Sequence, residues 1–389
     1  MANEKKRSLT SVANRLSGLS FFSPPESAVF AGTANAAAAR SGLIAQNYHG
    51  QLNGYLKALT ANKIKANANL AGRLSADPTY DGSRNKAVLL ARQYEKADID
   101  MGGRGSGNWT SEDIKKIRGL TWDEVSKREK LLWVEGSEGH HINNVADYPE
   151  LQADPDNIQF YRTKKDHMAL GHKGSFQNKT SGELIDRNQM LRHTNRRRVF
   201  QNELRGLGMC AAVGFGVGFA LSLVAELAQK GVSAKSFADS LVQSIGVGIQ
   251  SGIFYSESYV VGKPIQTGLL RVGIGIDSLL SYAGVGLSIV AFGCLIHYLT
   301  LRFRGFGVSG AAMKTGKQAA FSISVLAVSC IAQGIYGGHA GVIVSTTLGL
   351  LFFGFNVAQT IRQKKLLKKV RAYAIETHQK LAVKACMTA

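Results

Sequence analysis

Three uncharged stretches in the second half of the chain restrict its fold more than any other feature. Residues 206–225 run for 20 positions without a charge, 278–301 for 24, and 318–361 for 44. The hydrocarbon core of a bilayer is about 30 Å thick and is crossed by roughly 20 apolar residues of helix. The first two stretches therefore each read as one span. The third is long enough for two, with a turn at Gly337-Gly338-His339-Ala340-Gly341. The expectation is an all-α membrane domain over 199–361 with about four transmembrane helices. Residues 240–256 are also uncharged, but Ser, Gln and Gly interrupt them. They read as an interfacial or re-entrant segment, because a fifth span would upset the charge distribution.

That distribution is one-sided. The loop 302–317 carries Arg302, Arg304, Lys314 and Lys317 with no acid, the tail 362–389 is basic, and Arg196-Arg197-Arg198 precedes the first stretch. Basic loops stay on the cytoplasmic side. The chain is therefore expected to be a multi-pass protein of the cytoplasmic (inner) membrane, with its middle domain facing the cytoplasm. A net charge of +20 and a pI near 9.8 favour a polyanionic partner, either nucleic acid or an anionic lipid bilayer. Cys210, Cys294, Cys330 and Cys386 are far apart, and three lie in apolar runs, so no disulfide framework or zinc knuckle is suggested. Glycines at Gly214, Gly216 and Gly218 and at Gly246, Gly248 and Gly252 allow close helix contact in lipid, within the chain or in a homo-oligomer. The same helices would also suit a pore, but no line of ionisable residues runs along the spans. His297 and His339 read as single interfacial histidines.

The N-terminal half reads as polar and helical. Residues 1–32 are basic, broken by Pro24-Pro25, and are expected to be disordered. They lack the apolar core of a secretory signal. Within a helical region at 33–98, the stretch 33–74 has no proline and places Leu52, Tyr55, Leu56 and Leu59 at helical spacing. A long helix or helical hairpin with a core-facing stripe follows. Gly102-Gly103-Arg104-Gly105-Ser106-Gly107 reads as a linker. It is a poor phosphate cradle, since no Lys-Ser/Thr follows and no strand precedes it. Thr110 with Asp113 and Thr121 with Glu124 form capping boxes that open short helices. Trp122, Leu131, Leu132 and Trp133 would supply those helices with an apolar face.

The chemistry concentrates between these halves, where five of the nine histidines fall between His140 and His193. A strand at 140–145, a loop broken by Pro149 and Pro155, a second strand at 157–162 and a helix from near Thr163 make a β-hairpin followed by a helix. Such a unit can set His140 against His167 and His172, giving three neutral imidazoles for a metal with open positions. His141, on the opposite side of the strand, would face a substrate as general base. Residues 160–205 hold eleven Lys and Arg against four acids. Among these, Arg162, Lys164, Lys165, Lys173 and Lys179 are the candidate nucleic-acid contacts. Phosphate contacts carry no sequence information, so low specificity is expected. Arg196-Arg197-Arg198 reads equally well as the cytoplasmic end of a membrane span.

The adjacent pair His140-His141, the Asp156-Asn157-Ile158 element and the helical pair His167 and His172 occur in an order that resembles the HNH (ββα-metal) endonucleases, in particular the nuclease domains of bacterial toxins such as the DNase colicins. Gly105-Ser106-Gly107-Asn108-Trp109-Thr110 and Gly174-Ser175-Phe176-Gln177-Asn178 are similar to flanks of such toxins, so the likeness covers roughly 102–190. The resemblance implies His140, His167 and His172 as ligands of one divalent ion, Mg²⁺ or Zn²⁺, with Mn²⁺ or Ni²⁺ as alternatives. It implies His141 as the base and Asn157 as the residue that ties the hairpin loop to the backbone. DNA as substrate and an immunity or regulatory protein as partner follow from the same likeness. One spacing departs from the pattern, because four residues rather than three separate His167 from His172. On a regular helix that step turns the second side chain by about 140°. Either the helix ends near Gly171 or only one of the pair is a ligand.

The expected architecture is thus α+β: a disordered 1–32, a helical 33–98, an HNH nuclease domain at 99–198, the membrane domain at 199–361 and a basic cytoplasmic tail at 362–389. The expected function is that of a membrane-attached, metal-dependent endonuclease cutting DNA, a prokaryotic toxin or anti-phage effector. The other reading is a pore-forming or membrane-disrupting protein carrying an HNH-like module that does not cleave.

Overall fold

A computed structural model describes residues 25–127, 133–231, 233–275, 278–336 and 340–388. Residues 1–24 of the basic N-terminus, the scaffold residues Leu131 and Leu132, and the turn residues Gly337, Gly338 and His339 lie outside them. The chain divides into two compact units, one of residues 43–203 and one that takes the described residues before 43 and after 203. The regions expected at 33–98 and 99–198 therefore share one unit for most of their length.

Helix α1 (Pro25–Ala76) is one unbroken element of 52 residues, with no hairpin. Residues 25–32, expected to be disordered, belong to it: proline at the first helical position loses no hydrogen bond and presets φ. Its stripe is core, as the spacing implied, for Leu52, Leu56 and Leu59 are buried with Tyr94 and Ala97 of α2 (Arg84–Asp100) and with Leu191. Both capping boxes form. Thr110 Oγ1 accepts from Asp113 N at 3.2 Å to open α3 (Ser111–Gly119), and Thr121 Oγ1 from Glu124 N at 3.3 Å to open α4 (Trp122–Ser126). Trp133 joins Trp109 and Phe160 in a buried aromatic cluster with ring centroids 5.7–6.0 Å apart. Trp122 instead stays 37% exposed beside Tyr55.

The glycine-rich stretch is not a linker. Its amides close on two buried carboxylates: Gly105 N donates to Asp98 Oδ2 and Ser106 N to Glu95 Oε2, each at 2.8 Å. Trp109 Nε1 donates to the same Glu95 oxygen at 2.8 Å. Glycine is required at Gly105 because φ is +69° there and a Cβ would fall on the Glu95 carboxylate and the Trp109 ring. The loop is a cradle whose anion comes from the chain itself.

A single antiparallel pair, β1 (Glu138–His141) and β2 (Ile158–Tyr161), is the only sheet among the described residues. β1 was expected at 140–145. It stops early because Asn143 and Asn144 spend their polar groups on loops, with Asn143 Oδ1 accepting from Gly182 N at 3.0 Å and Asn144 Oδ1 from Asp147 N at 2.8 Å. Such side chains compete with ladder bonds. Glu138 and Gly139 take the ladder places opposite Tyr161 and Phe160. Helix α5 (Lys164–Asp166) follows, capped by Thr163, whose Oγ1 accepts from Asp166 N at 3.0 Å.

The other unit is helical. Among the described residues, α6 (Arg187–Lys230), α8 (Leu279–Phe303) and α9 (Val308–Tyr336) are long and apolar enough to cross a membrane. The fourth expected span falls within α10 (Ala340–Thr388). The segment expected to be re-entrant lies inside the unbroken 38-residue α7 (Ala234–Arg271), where Ser240, Ser244, Ser251 and Ser258 are buried. Glycines do bring helices together, but within the chain. A Cβ on Gly214 would sit 2.7 Å from Ser251 O, and one on Gly252 would sit 2.9 Å from Ala211 O. Gly216 and Gly246 meet nothing within 4 Å.

One buried ion pair locks the 43–203 unit. Arg187 and Glu95 have side-chain exposures of 0% each and an Nη1–Oε1 distance of 2.6 Å. Removing one partner strands the other charge, so Glu95→Ala should cost about 3–5 kcal/mol. Replacing both by apolar residues, Glu95→Leu with Arg187→Met, should recover much of that loss. Denaturant unfolding of the full chain in detergent, followed by tryptophan fluorescence, measures both. A loss below about 1 kcal/mol for Glu95→Ala would place the anchor elsewhere.

Candidate metal centre

Strand alternation decides the opposite fates of the adjacent histidines. His140 is buried, 5% exposed, and its Nδ1 stands 3.3 Å from His167 Nε2. His172 completes the group, with ring centroids 4.6 Å from His140 and 4.7 Å from His167. One nitrogen from each of the three lies within 4.8 Å of the other two.

The five-residue step between the helical histidines is absorbed by the backbone. After α5 the chain widens into a π turn, His167–Gly171, and His172 N donates to His167 O at 3.1 Å. That i→i+5 bond places His172 over His167, where a regular helix would turn it away. Gly171 allows it: a Cβ there would meet Tyr161 Cε2 at 3.0 Å and His140 Cγ at 3.1 Å. Of the two alternatives left by the spacing, the structure has the helical turn ending at Gly171 and both histidines beside His140.

Glu138 supports the cluster. Its Oε2 lies 2.5 Å from His167 Nδ1, which orients the ring and leaves Nε2 toward His140. Sequence reasoning passed over this residue, although it precedes His140 by two and therefore shares its face of the strand. Burial first, and then the neighbouring imidazoles of His172 and His167, push the His140 pKa down to about 4. His172 is also lowered, by burial and then by His167. The His140 and His172 rings are thus biased toward the neutral form that metal ligation requires.

The cluster fits a divalent ion on its own geometry. Two nitrogens bound at about 2.05 Å to a tetrahedral ion stand roughly 3.3 Å apart, the separation of the His140 and His167 nitrogens. His172 Nδ1 is buried without a hydrogen-bond partner. The carboxylate behind His167 is the usual support of a ligating imidazole.

His141 points away from the cluster, and its Nε2 lies 3.1 Å from the carbonyl of Gln152. A carbonyl only accepts, so Nε2 carries the proton and Nδ1 keeps a free lone pair. Burial lowers its pKa and favours that neutral form. Gln152 is itself fixed, its amide donating to Tyr80 O at 2.8 Å and accepting from Ser83 N at 3.1 Å. No signal in the sequence marked Gln152. Asn157 is fully buried, with Oδ1 accepting from Asn143 N at 2.8 Å and Nδ2 donating to Asn143 O at 3.0 Å.

The expected phosphate contacts divide. Lys164, Lys165 and Lys173 are exposed. Arg162 is partly exposed and its Nε donates to Asp113 at 2.6 Å. Lys179 pairs with Asp147 at 3.0 Å. Two further arginines of the basic run are structural, Arg187 buried on Glu95 and Arg198 stacked 4.3 Å over the Tyr48 ring. Both belong to the basic run of 160–205, and their partners Glu95 and Tyr48 lie far away in the sequence.

Two outcomes follow. Glu138→Gln should weaken Zn²⁺ or Co²⁺ binding by about 10- to 100-fold, read by competition with a chromogenic chelator; unchanged affinity would remove Glu138 from the site. In metal-free protein, His140 is depressed below its unfolded value of about 6.5, so the unfolded state takes up the proton first. Stability should be full above about pH 6.5 and fall as pH drops toward 4. Melting curves of chelator-treated protein should show that loss, and His140→Phe should reduce it to the smaller part left by His141 and His172.

Neither a curated protein nor a solved structure matches the chain. A family model does match residues 80–162, which include Gly139-His140-His141 and end before His167 and His172. The middle of the chain thus carries a domain of the family described as a GHH signature containing HNH/Endo VII superfamily nuclease toxin.

Proposed function

We propose that the chain is a metal-dependent endonuclease that hydrolyses DNA phosphodiesters with low sequence specificity. The observation that carries this reading is the division of labour at β1: His140 joins His167 and His172 within 4.8 Å, while the next residue, His141, turns away with a fixed tautomer. In this reading His140, His167 and His172 hold one ion. When bound, that ion supplies a Lewis acid for the phosphate and for the leaving oxygen. Three imidazoles suit Zn²⁺ or Ni²⁺ better than Mg²⁺ or Mn²⁺.

His141 accepts at Nδ1 the proton of the water that attacks phosphorus, as the new O–P bond forms and the old P–O bond breaks. Gln152 positions His141 through its carbonyl. Asn157 positions it from below by closing the loop on Asn143. Lys164, Lys165 and Lys173 supply contacts to phosphates on either side, and such contacts do not read bases. Arg162 and Lys179 also pair with acids, Asp113 and Asp147, and are expected to add to these contacts less than the unpaired lysines.

The remainder of the reading concerns placement. In this reading α6, α8, α9 and the start of α10 cross the membrane and α7 lies against α6 without crossing, which keeps the basic loop 302–317, the tail and the catalytic unit on the cytoplasmic face. A nuclease tethered there is suited to a prokaryotic toxin or anti-phage effector, with an immunity or regulatory protein to restrain it.

Full-length protein in detergent should nick supercoiled plasmid with Zn²⁺ or Ni²⁺ and stop on addition of chelator. His141→Ala should slow cleavage by about 10²- to 10⁴-fold while still binding metal. His140→Ala and His167→Ala should lose metal and cleavage together. Release of metal by His141→Ala alone would reverse the roles of the pair.

A further inference from the structure

Beside the three histidines the chain displays an aromatic ring for which the fold has little use. Phe176 is 61% exposed, yet its ring centroid lies only 4.6 Å from that of His172 and 6.3 Å from that of His167. A large apolar side chain left in water forgoes burial energy, so its place needs a reason. A loose loop is not that reason. Asn178 Nδ2 donates to the carbonyls of His172 and Lys173, both at 3.0 Å, and Ser175 N donates to His172 O at 3.1 Å. Lys173 and Gly174 take φ of +50° and +94°, so the chain reverses tightly just before the phenylalanine. The loop is built and the ring is presented. Leu170, on the other side of Gly171, is 66% exposed.

The surroundings suggest what the ring meets. Exposed Lys164, Lys165 and Lys173 lie on the same short segment. Cations that follow a phosphate backbone, combined with an aromatic face for a base, are the two elements of single-strand recognition. In an intact duplex both faces of a base are covered by its neighbours, whereas an unpaired nucleotide offers one to a side chain. Resting on the nuclease reading, we infer that Phe176 is a stacking platform for an unpaired base next to the scissile phosphate. The substrate class is then single-stranded DNA, or duplex DNA interrupted by unpaired nucleotides. Cover for His172 alone would not need a ring that keeps most of its surface in water.

The test uses the full chain in detergent with chelator present, so that binding is read without cleavage. The probes are a single-stranded oligodeoxynucleotide containing 2-aminopurine and its fully paired duplex, followed by anisotropy and by quenching of the 2-aminopurine. Wild type should bind the single strand more tightly and quench it. Phe176→Leu, which keeps an apolar cover but has no π face, should weaken single-strand binding by roughly five-fold or more and lose the quench, with duplex binding little changed. Phe176→Trp should restore both. Unchanged single-strand affinity and quenching in Phe176→Leu, in a protein that still cuts DNA, would overturn the platform and leave the nuclease reading standing. Loss of Co²⁺ binding in Phe176→Leu would also overturn it, by making the ring a wall of the metal centre. Wild type that neither binds nor cuts DNA would remove both readings together.

Discussion

The middle unit depends on one arginine and one glutamate taken wholly out of water. Arg187 donates from Nη1 to Glu95 at 2.6 Å, from Nη2 to Ile158 O at 2.6 Å and from Nε to Pro155 O at 2.8 Å. Glu95 in turn accepts from Trp109 Nε1 and from the amide and hydroxyl of Ser106. Burying two charges is costly unless every donor and acceptor is used. Here the requirement joins α2, the glycine-rich loop, the loop before β2 and the start of α6. Ile158 opens β2, and β2 holds β1 in register, so the position of His140 is tied to a charge pair in the core beneath it.

Upon that frame the candidate centre needs a local irregularity. Two histidines five residues apart meet only because the helix widens by one residue at Gly171, and a π turn of this kind is a frequent companion of functional sites. The widening gives up regular helical bonds over a short segment. It is stabilised by Thr163 at the start of α5 and by Asn178 on the far side. The same economy appears at β1, where a strand of only four residues suffices. Its alternation sends Glu138 and His140 to one face and His141 to the other, and the buried Gln152 then fixes the tautomer of His141.

The helical unit, whose α6, α8 and α9 are long and apolar enough to cross a membrane, follows a different logic. Lipid offers no hydrophobic drive to bring helices together, so close backbone approach and small polar groups do it. Gly214 and Gly252 permit such an approach, and buried serines face inward along α7. Gly214, Gly218, Gly248 and Gly252 are thereby used inside the chain, while Gly216 and Gly246 meet nothing within 4 Å. This is why small-residue spacing alone does not reveal an oligomer.

Much of this was legible in the sequence because the interactions are short-range. Bilayer thickness sets the length of an apolar run that can cross it, so α6, α8 and α9, long and apolar enough to do so, could be read directly. The two capping boxes join residues three apart. The opposite directions of the His140 and His141 side chains follow from alternation along one strand. What escaped depended on partners outside the segment itself, some of them far along the chain. Arg187 reads as a surface cation until Glu95, 92 residues earlier, is seen against it, and Arg162 until Asp113, 49 residues earlier, takes its charge. The glycine-rich loop reads as a linker until its amides are seen on Asp98 and Glu95. Local hydrogen bonding and hydrophobic length are properties of a segment, whereas the fate of a charge is set by whichever group shares its desolvated space, and only the tertiary structure decides that.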